Sequence, residues 1–190
     1  MIYPYEGKYP VIHPSVFMSE DVIIVGDVHI AEDVNLWFGT VIRGDVNQVR
    51  IGARTNIQDN CTLHETYQKY PLIIGEDVTV GHAAVLHACT LHDACLIGMG
   101  ATVLDNAVVH SESLVAAGAV VREGFEVPPG TLVAGVPARI VRELSDEERE
   151  HVRESARQYL RYVESYRKNR GLERGLDFHS YLEYRKSGRI

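Results

Sequence analysis

An apolar residue recurs at every sixth position over long stretches of the chain. The first run is unbroken and reads Ile12, Met18, Ile24, Ile30, Leu36, Ile42. The period is interrupted at residues 48–50, 68–73 and 90, and it resumes after each interruption as far as Val121. A helix repeats at about 3.6 residues and a strand at about 2, so neither explains a period of six. We therefore predict that each hexad is a short strand followed by a corner.

Small or β-branched residues follow the apolar ones four places later, as at Val16 and Ala101. Two inward positions per hexad are typical of coils that stack and bury one continuous core. The pattern favours a mainly β fold, a parallel β-helix in which residues 12–137 make about seven coils of three hexads. Cys61 and Cys95 fall on the small inward position, which favours core packing over reactivity.

The composition changes beyond the repeat. Ser145 followed by Glu148 is a capping-box pattern, which marks the start of a helix. Apolar residues then recur at three- and four-residue steps: Val152, Ala156, Tyr159, Val163, Tyr166. We predict an amphipathic helix at about 146–169. Its apolar face packs along the triangular prism that the stacked coils form, or on a neighbouring subunit.

The chain therefore divides into a β-helix domain at residues 1–141 and a C-terminal helical extension at 142–190. We expect the extension to pack on the prism. Its tail, from Leu172 onward, contains Phe178, Tyr181, Leu182, which indicate a second short helix.

Charge and composition exclude several classes of function. The chain carries 19 Lys and Arg against 26 Asp and Glu, a net charge of -7 that repels nucleic acid. No run approaches the ~18–20 apolar residues of a membrane-spanning helix. The N-terminus lacks the apolar stretch of a signal peptide, so we expect a cytoplasmic protein. The three cysteines form no CxxC pair, which argues against a disulfide framework and a thiolate zinc site.

Two sequence segments of the repeat region resemble those of a known family. The strings IGMGATV (97–103) and AGVPARIV (134–141) are similar to those of the bacterial hexapeptide-repeat proteins. The resemblance implies that the prism coils left-handed. It also implies that the chain assembles into a homotrimer.

Stacking the coils brings equivalent positions into columns. With 48–50 and 65–73 treated as loops, the coils begin at Ile30, Ile51, Ile74, Leu91. One column then reads Arg43, His64, His87, Leu104. A second column, on a different face, reads Phe38, Asp59, His82, Met99.

The first column predicts half of a metal site. His64 and His87 lie about 5 Å apart, the spacing of adjacent strands, so both imidazoles reach a single ion. His82 points away from that ion within one chain, but a neighbouring chain of a threefold trimer can present its own His82 to the pair. Three neutral imidazoles with an open fourth position are typical of catalytic zinc.

Three further strings resemble the gamma-class carbonic anhydrases across roughly residues 10–140. They are RGD (43–45), NIQDNCTLH (56–64) and GHAAVLH (81–87). The resemblance implies the zinc ligands His64, His82, His87. It also implies that Gln58 orients the zinc-bound hydroxide or carbon dioxide, that Arg43 and Asp45 form an interchain ion pair, and that Asp59 and Asn56 support the ligands.

The implied chemistry is hydration of carbon dioxide to bicarbonate by zinc-bound hydroxide, with Fe²⁺ or Co²⁺ as alternative metals. The family's prototype carries a long acidic loop with a glutamate that shuttles protons, and a second acid where this chain has Val46. Here the corresponding loop, ETYQKYP at 65–71, is short and contains one acid. Glu65, Tyr67 or buffer would carry the proton.

Other functions of the same fold stay open at this point. Arg43 with Asp45 could equally be a plain interface salt bridge. VRELSDEE (141–148) resembles relatives found beside phenylacetate and carnitine pathways, which points to a metal-dependent acyl-thioester hydrolase or to an accessory scaffold protein. An acyl- or acetyltransferase is a further alternative, because fold alone does not set function. Six histidines fit neither column and are interpreted as solvated or structural: His13, His29, His92, His110, His151, His179.

Overall fold

The computed structural model describes residues 1–168. Over this range the chain forms a parallel β-helix followed by an α-helix, which confirms the predicted left-handed hexapeptide-repeat fold. The second helix predicted beyond Leu172 lies outside the described residues. The strands and the helix are β1 (Ile2–Tyr3), β2 (Val11–Ile12), β3 (Phe17–Met18), β4 (Ile23–Ile30), β5 (Asn35–Leu36), β6 (Val41–Ile51), β7 (Asn56–Ile57), β8 (Thr62–His64), β9 (Leu72–Ile74), β10 (Thr79–Val80), β11 (Val85–His87), β12 (Thr90–Leu91), β13 (Leu96–Ile97), β14 (Thr102–Val103), β15 (Val108–Val109), β16 (Leu114–Val115), β17 (Val120–Val121), β18 (Glu126–Val127), β19 (Thr131–Ala134), β20 (Arg139–Glu143) and α1 (Asp146–Lys168).

The strands stack into three faces of a prism. The first face contains β6, β8, β11, β14, β17, the second β6, β9, β12, β15, β18, and the third β3, β5, β7, β10, β13, β16, β19. β4 and β6 pass round a corner and so join the first two faces into one sheet. The rungs of each face are parallel, and the terminal pair β19 and β20 is antiparallel. The seven rungs of the third face agree with the predicted number of coils.

The pairing register confirms the hexad frame. The predicted coil starts are Cα partners on successive rungs: Ile30, Ile51, Ile74, Leu91. At one corner of the prism, the backbone adopts φ values of 56°, 59° and 54° at Asp33, Arg54 and Asp77. This left-handed region redirects the chain from one face to the next.

The first interruption of the repeat lies earlier than predicted. β6 is continuous, so residues 48–50, expected to form a loop, are strand residues. Gly44 pairs with Gly26, eighteen positions earlier in the chain, and Val49 pairs with Val28, twenty-one positions earlier. Three extra residues therefore enter β6 between Gly44 and Val49. The Glu65 carboxylate accepts two backbone N–H groups of this corner, which satisfies donors that the ladder leaves unpaired.

The core is one continuous column of buried apolar side chains. It runs through all the coils and includes Ile24, Leu36, Ile57, Leu86, Val109. Cys61 and Cys95 belong to it, as predicted, and burial raises the pKa of each thiol to about 12. These thiols are therefore protonated at neutral pH and act as packing groups.

The helix α1 lies against the third face of its own prism, where it contacts β5 and β10. It buries Val152, Ala156 and Val163. Trp37 contacts Tyr159 and Tyr166, with ring centroids 5.5 and 5.0 Å away. Within residues 1–168, no helix combines the length and the apolar character needed to cross a bilayer.

Acid is expected to loosen the start of α1. The predicted capping box is present: Ser145 N–H donates to the Glu148 carboxylate at 2.9 Å, and Glu148 N–H donates to Ser145 Oγ at 3.2 Å. Hydrogen bonds from Arg142 and Ser145 lower the pKa of Glu148 to about 2 from an ordinary value of 4.5. Because the folded-state pKa is the lower one, the stabilisation is fully present above pH 4.5 and is lost as the pH falls through about 2.

Circular dichroism at 222 nm during an acid titration measures this loss. Glu148→Gln is the matched control, because glutamine still fits the capping box but cannot titrate. We expect the wild-type chain to lose more helical signal between pH 4.5 and 2 than the Gln variant does. Equal losses in both chains would contradict the prediction.

Candidate metal centre

His64 and His87 stand on neighbouring rungs of the first face. They end β8 and β11 and are Cα partners in the parallel ladder. Nδ1 of His64 lies 3.2 Å from Nε2 of His87, and the ring centroids are 5.2 Å apart. The predicted stacking of the two imidazoles is therefore confirmed.

A carboxylate holds each imidazole of the pair from behind. Asp45 Oδ1 lies 3.1 Å from Nε2 of His64, and Asp105 Oδ1 lies 2.6 Å from Nδ1 of His87. Arg43 Nη1 donates to the other oxygen of Asp45 at 2.5 Å within the same chain, whereas the family resemblance implies an interchain pair. Burial raises the pKa of Asp45 and of Asp105, but their hydrogen bonds outweigh it, so both values lie below the usual one. Both carboxyl groups are therefore ionised near neutral pH.

The facing nitrogens of the pair suit a cation. A neutral imidazole carries a single N–H, and an ionised carboxylate can only accept, so the N–H of each ring points to its aspartate. The nitrogens that face each other, Nδ1 of His64 and Nε2 of His87, then both present lone pairs at 3.2 Å. Two nitrogens at about 2.0–2.1 Å from a tetrahedral zinc ion are about 3.3–3.4 Å apart. The pair thus fits two ligands of one metal ion.

His82 occupies a different corner of the prism. It follows β10 on the third face, and its Nδ1 lies 2.6 Å from Asp59 Oδ2. Gln58 is buried beside it; its Oε1 accepts the His82 backbone N–H at 3.2 Å, and its Nε2 donates to Asn56 Oδ1 at 3.1 Å. Within the chain, the site residues predicted from the sequence therefore form two groups, one around the imidazole pair and one around His82.

Glu65 follows His64 and is buried, with 1% of its surface exposed. Its Oε1 accepts the backbone N–H groups of Val46 and Asn47 at 2.9 Å, and its Oε2 has no hydrogen-bond partner among the described residues. Over residues 1–168, Asp45, His64 and Glu65 form the one group of three whose ligand atoms all lie within 4.8 Å of one another. His64 therefore belongs both to this group and to the imidazole pair.

Comparisons with known proteins identify the family. No protein-family model matches the chain. The carbonic anhydrase of Geobacillus kaustophilus is 48% identical over 164 residues, which are 86% of this chain and 88% of that protein. Gamma carbonic anhydrase 1, mitochondrial, of Arabidopsis thaliana is 43% identical over 84% of this chain, and the chain spans 60% of that protein. The chain belongs to the gamma carbonic anhydrase family.

Two solved structures of hexapeptide-repeat proteins share the fold over most of this chain. A hexapeptide transferase family protein from Anaplasma phagocytophilum is 38% identical, with a TM-score of 0.84 over 87% of this chain and 98% of its own. A Bacillus cereus protein described as a putative acetyltransferase is 45% identical, with a TM-score of 0.86 over 88% of this chain and 97% of its own. The family resemblance predicted from the sequence is confirmed, and it implies a metal cofactor.

Sequence reasoning missed Asp105 in this gamma carbonic anhydrase family member. Asp105 comes one place after Leu104, the last residue of the column that contains the imidazole pair. An acidic residue next to a column of ligands was the signal that could have found it. The histidines outside the columns lie elsewhere: His92 and His110 stack on each other with ring centroids 4.9 Å apart, and His179 lies outside the described residues.

Proposed function

We propose that this protein is a gamma-type carbonic anhydrase that interconverts carbon dioxide and bicarbonate at a metal ion between two copies of the chain. The names of its relatives support this substrate. One observation carries the proposal: the facing nitrogens of His64 and His87 lie 3.2 Å apart, and the other nitrogen of each ring lies within 3.1 Å of a carboxylate oxygen. The cytoplasmic location and the domain division at residue 141 stay predictions.

The third ligand we propose is His82 of a second copy. In its own chain, Asp59 engages Nδ1 of this ring, which leaves Nε2 for a metal ion. The His82 side chain is 45% exposed, so a neighbouring chain can approach it. Threefold assembly would repeat the site three times, and the homotrimer is therefore part of the proposal.

The group of Asp45, His64 and Glu65 is the weaker ligand set, because its donors are already engaged. Asp45 accepts hydrogen bonds from Arg43 and His64. One oxygen of Glu65 accepts two backbone N–H groups. The Arg43 guanidinium also lies beside this group and would repel a second cation. The facing nitrogens of the imidazole pair are not engaged by these groups, and Asp45 lies between the Arg43 guanidinium and the His64 ring.

The metal we propose is Zn²⁺, with Fe²⁺ or Co²⁺ as alternatives, since neutral imidazoles accept all three. When bound, the ion supplies a nucleophile near neutral pH, because it lowers the pKa of water from 15.7 to about 7. Asp45 and Asp105 hold the two imidazoles of one chain in the tautomers that present lone pairs, and Asp59 does the same for His82. These carboxylates also raise the basicity of the rings.

Gln58 is proposed to direct a hydrogen bond at the reacting oxygen. Its amide nitrogen carries two hydrogens, and Asn56 takes one, which leaves the second available. The His82 backbone N–H holds the amide oxygen, so the amide cannot turn over without losing that bond. Asn56 is itself anchored, because its Nδ2 donates to Thr79 Oγ1 at 2.8 Å. Asn56 and His82 thus orient the donor in advance of substrate.

Protons are proposed to leave through buffer. Glu65, the one acid of the loop after His64, is 1% exposed, so it is shielded from the bulk water that a proton carrier must reach. Tyr67 is 66% exposed, but among the described residues its hydroxyl contacts Gln68 Nε2 at 3.0 Å and not the imidazole pair. We therefore expect the rate of hydration to rise with buffer concentration.

Anaerobically purified full-length protein, analysed for metal and then assayed by stopped flow, tests the proposal. We expect up to one metal ion per chain and hydration of carbon dioxide above the buffer rate, with a rate that increases when imidazole buffer is added. Stoichiometric metal without hydration, but with cleavage of an acyl thioester, would favour the hydrolase instead. Micromolar binding of coenzyme A by metal-free protein would favour a transferase.

A further inference from the structure

The two aspartates behind the imidazole pair are each held by a second donor. Arg43 donates to the free oxygen of Asp45 at 2.5 Å. On the other arm, the Thr66 hydroxyl donates to Oδ2 of Asp105, the oxygen that does not face His87. The donor on one arm is a cation, and on the other arm it is a neutral hydroxyl.

The backbone of Thr66 is fixed on both sides. Its N–H donates to the Tyr70 carbonyl at 3.1 Å, and its carbonyl accepts from the Lys69 N–H and from Asn47 Nδ2, both at 3.2 Å. Glu65, the preceding residue, is buried and bonded to the corner of β6. The Thr66 hydroxyl therefore approaches Asp105 from a rigid turn, and threonine's β-branch further restricts its rotation.

We propose that Thr66 is a positioning residue for the metal centre, which sets the tautomer and direction of the His87 ring by orienting Asp105. The inference rests on the proposed function, because it takes the pair of imidazoles to be metal ligands. With Oδ2 occupied by the hydroxyl, Oδ1 is left to accept Nδ1–H of His87, and Nε2 presents its lone pair toward His64.

A neutral donor suits this position on electrostatic grounds. Arg43 already places one positive charge behind the imidazole pair. A second cation behind Asp105 would repel a divalent ion bound to the imidazole pair, because the two charges would be close together and partly shielded from water. A hydroxyl orients the carboxylate and leaves its negative charge to stabilise the bound ion.

Thr66→Val tests the proposal, because valine keeps the shape of the side chain and removes the hydroxyl. In metal-free protein, long-range ¹H–¹⁵N NMR of the imidazoles should show a single Nδ1–H tautomer at His87 in the wild type and a mixture in Thr66→Val. Competition with a chelator should show a loss of Zn²⁺ affinity of about 10–100-fold, the usual effect of removing a group that orients a ligand. Thr66→Ser should restore both properties.

Thr102→Val is the matched control. It makes the same change on β14, three residues before Asp105, where the neighbouring rungs already carry Val85 and Val120. We expect wild-type tautomer and affinity there. If Thr66→Val does not fold, Thr66→Ala replaces it. The tautomer and the Zn²⁺ affinity of Thr66→Ala are then compared with those of Thr66→Ser.

A wild-type tautomer and wild-type Zn²⁺ affinity in the hydroxyl-free variant would overturn the proposal. The NMR readout needs no catalysis, so it separates this inference from the proposed function. If the tautomer shifts in Thr66→Val but the wild-type protein hydrates no carbon dioxide, the role of Thr66 is supported and the proposed activity is rejected. An unshifted tautomer in an active enzyme would reject the role of Thr66 alone.

Discussion

His87→Ala is expected to lose both the bound metal and the hydration of carbon dioxide. Its Nε2 supplies one of the two lone pairs that face each other across 3.2 Å, and Nδ1 of His64 cannot hold the ion with His82 alone. We expect metal affinity to fall by more than about 100-fold, since deletion of a ligand exceeds the loss of a group that orients one. Elemental analysis and stopped-flow hydration on one sample measure both effects. His92→Ala, an exposed histidine outside the proposed ligand set, should change neither.

Mixed trimers test where the third ligand comes from. His82→Ala and His87→Ala should each be inactive alone. In a trimer of both variants, a site is intact when one chain contributes its imidazole pair and the next contributes its own His82. Random assembly of equal amounts makes about one quarter of the sites intact.

Recovery is measured by dissociating the two variants, refolding them together and assaying metal and hydration. We expect about one quarter of the wild-type values after mixing and none without mixing. Absence of recovery, with trimers present and each variant folded, would show that one chain supplies every ligand and would reject the proposed interchain site.

Leu91→Ala is expected to lower the free energy of unfolding more than the other substitutions do. Leu91 is 1% exposed and is stacked between Ile74 and Val109 inside the prism. Truncating a fully buried leucine removes its transfer free energy and leaves a cavity, which together cost about 2–5 kcal/mol. Each coil is supported by its neighbours, so a defect in the middle of the stack weakens the coils on both sides. Urea unfolding at a fixed protein concentration measures the change.

Thr90→Ala is the control for this prediction. It lies next to Leu91 on β12 and is half-buried, with its side chain on the opposite side of the strand. We expect it to change the free energy of unfolding by about 0.5 kcal/mol or less. Similar losses in both variants would mean that the interior of the prism is not the main source of stability.

The sequence predicted the prism and the imidazole pair for the same reason. Each strand of a solenoid pairs with the strand one coil later, so the spatial neighbours of a residue are found by counting along the chain. The register of Ile51, Ile74 and Leu91 confirms that count. His64 and His87 hold equivalent positions on successive coils, and their contact follows from the repeat alone.

The loop after His64 could not be predicted in this way. It has no repeat, and its contacts depend on how the turn at residues 65–71 folds back on the prism. The hydrogen bond from Thr66 to Asp105 joins residues 39 positions apart, on different coils. The sequence offers Glu65 as one of several proton carriers, and the structure buries it against the corner of β6.

The sequence by itself determined the coil frame, the helix α1, the family and the stacking of His64 on His87. Only the tertiary structure decided which nitrogen of each imidazole faces the other and which carboxylate holds each ring. The physical reason is that periodicity specifies the backbone positions of residues, whereas hydrogen-bond direction depends on side-chain rotamers where separate segments meet. Asp45 and Asp105 orient the rings through such contacts, and the fit to a metal ion arises there.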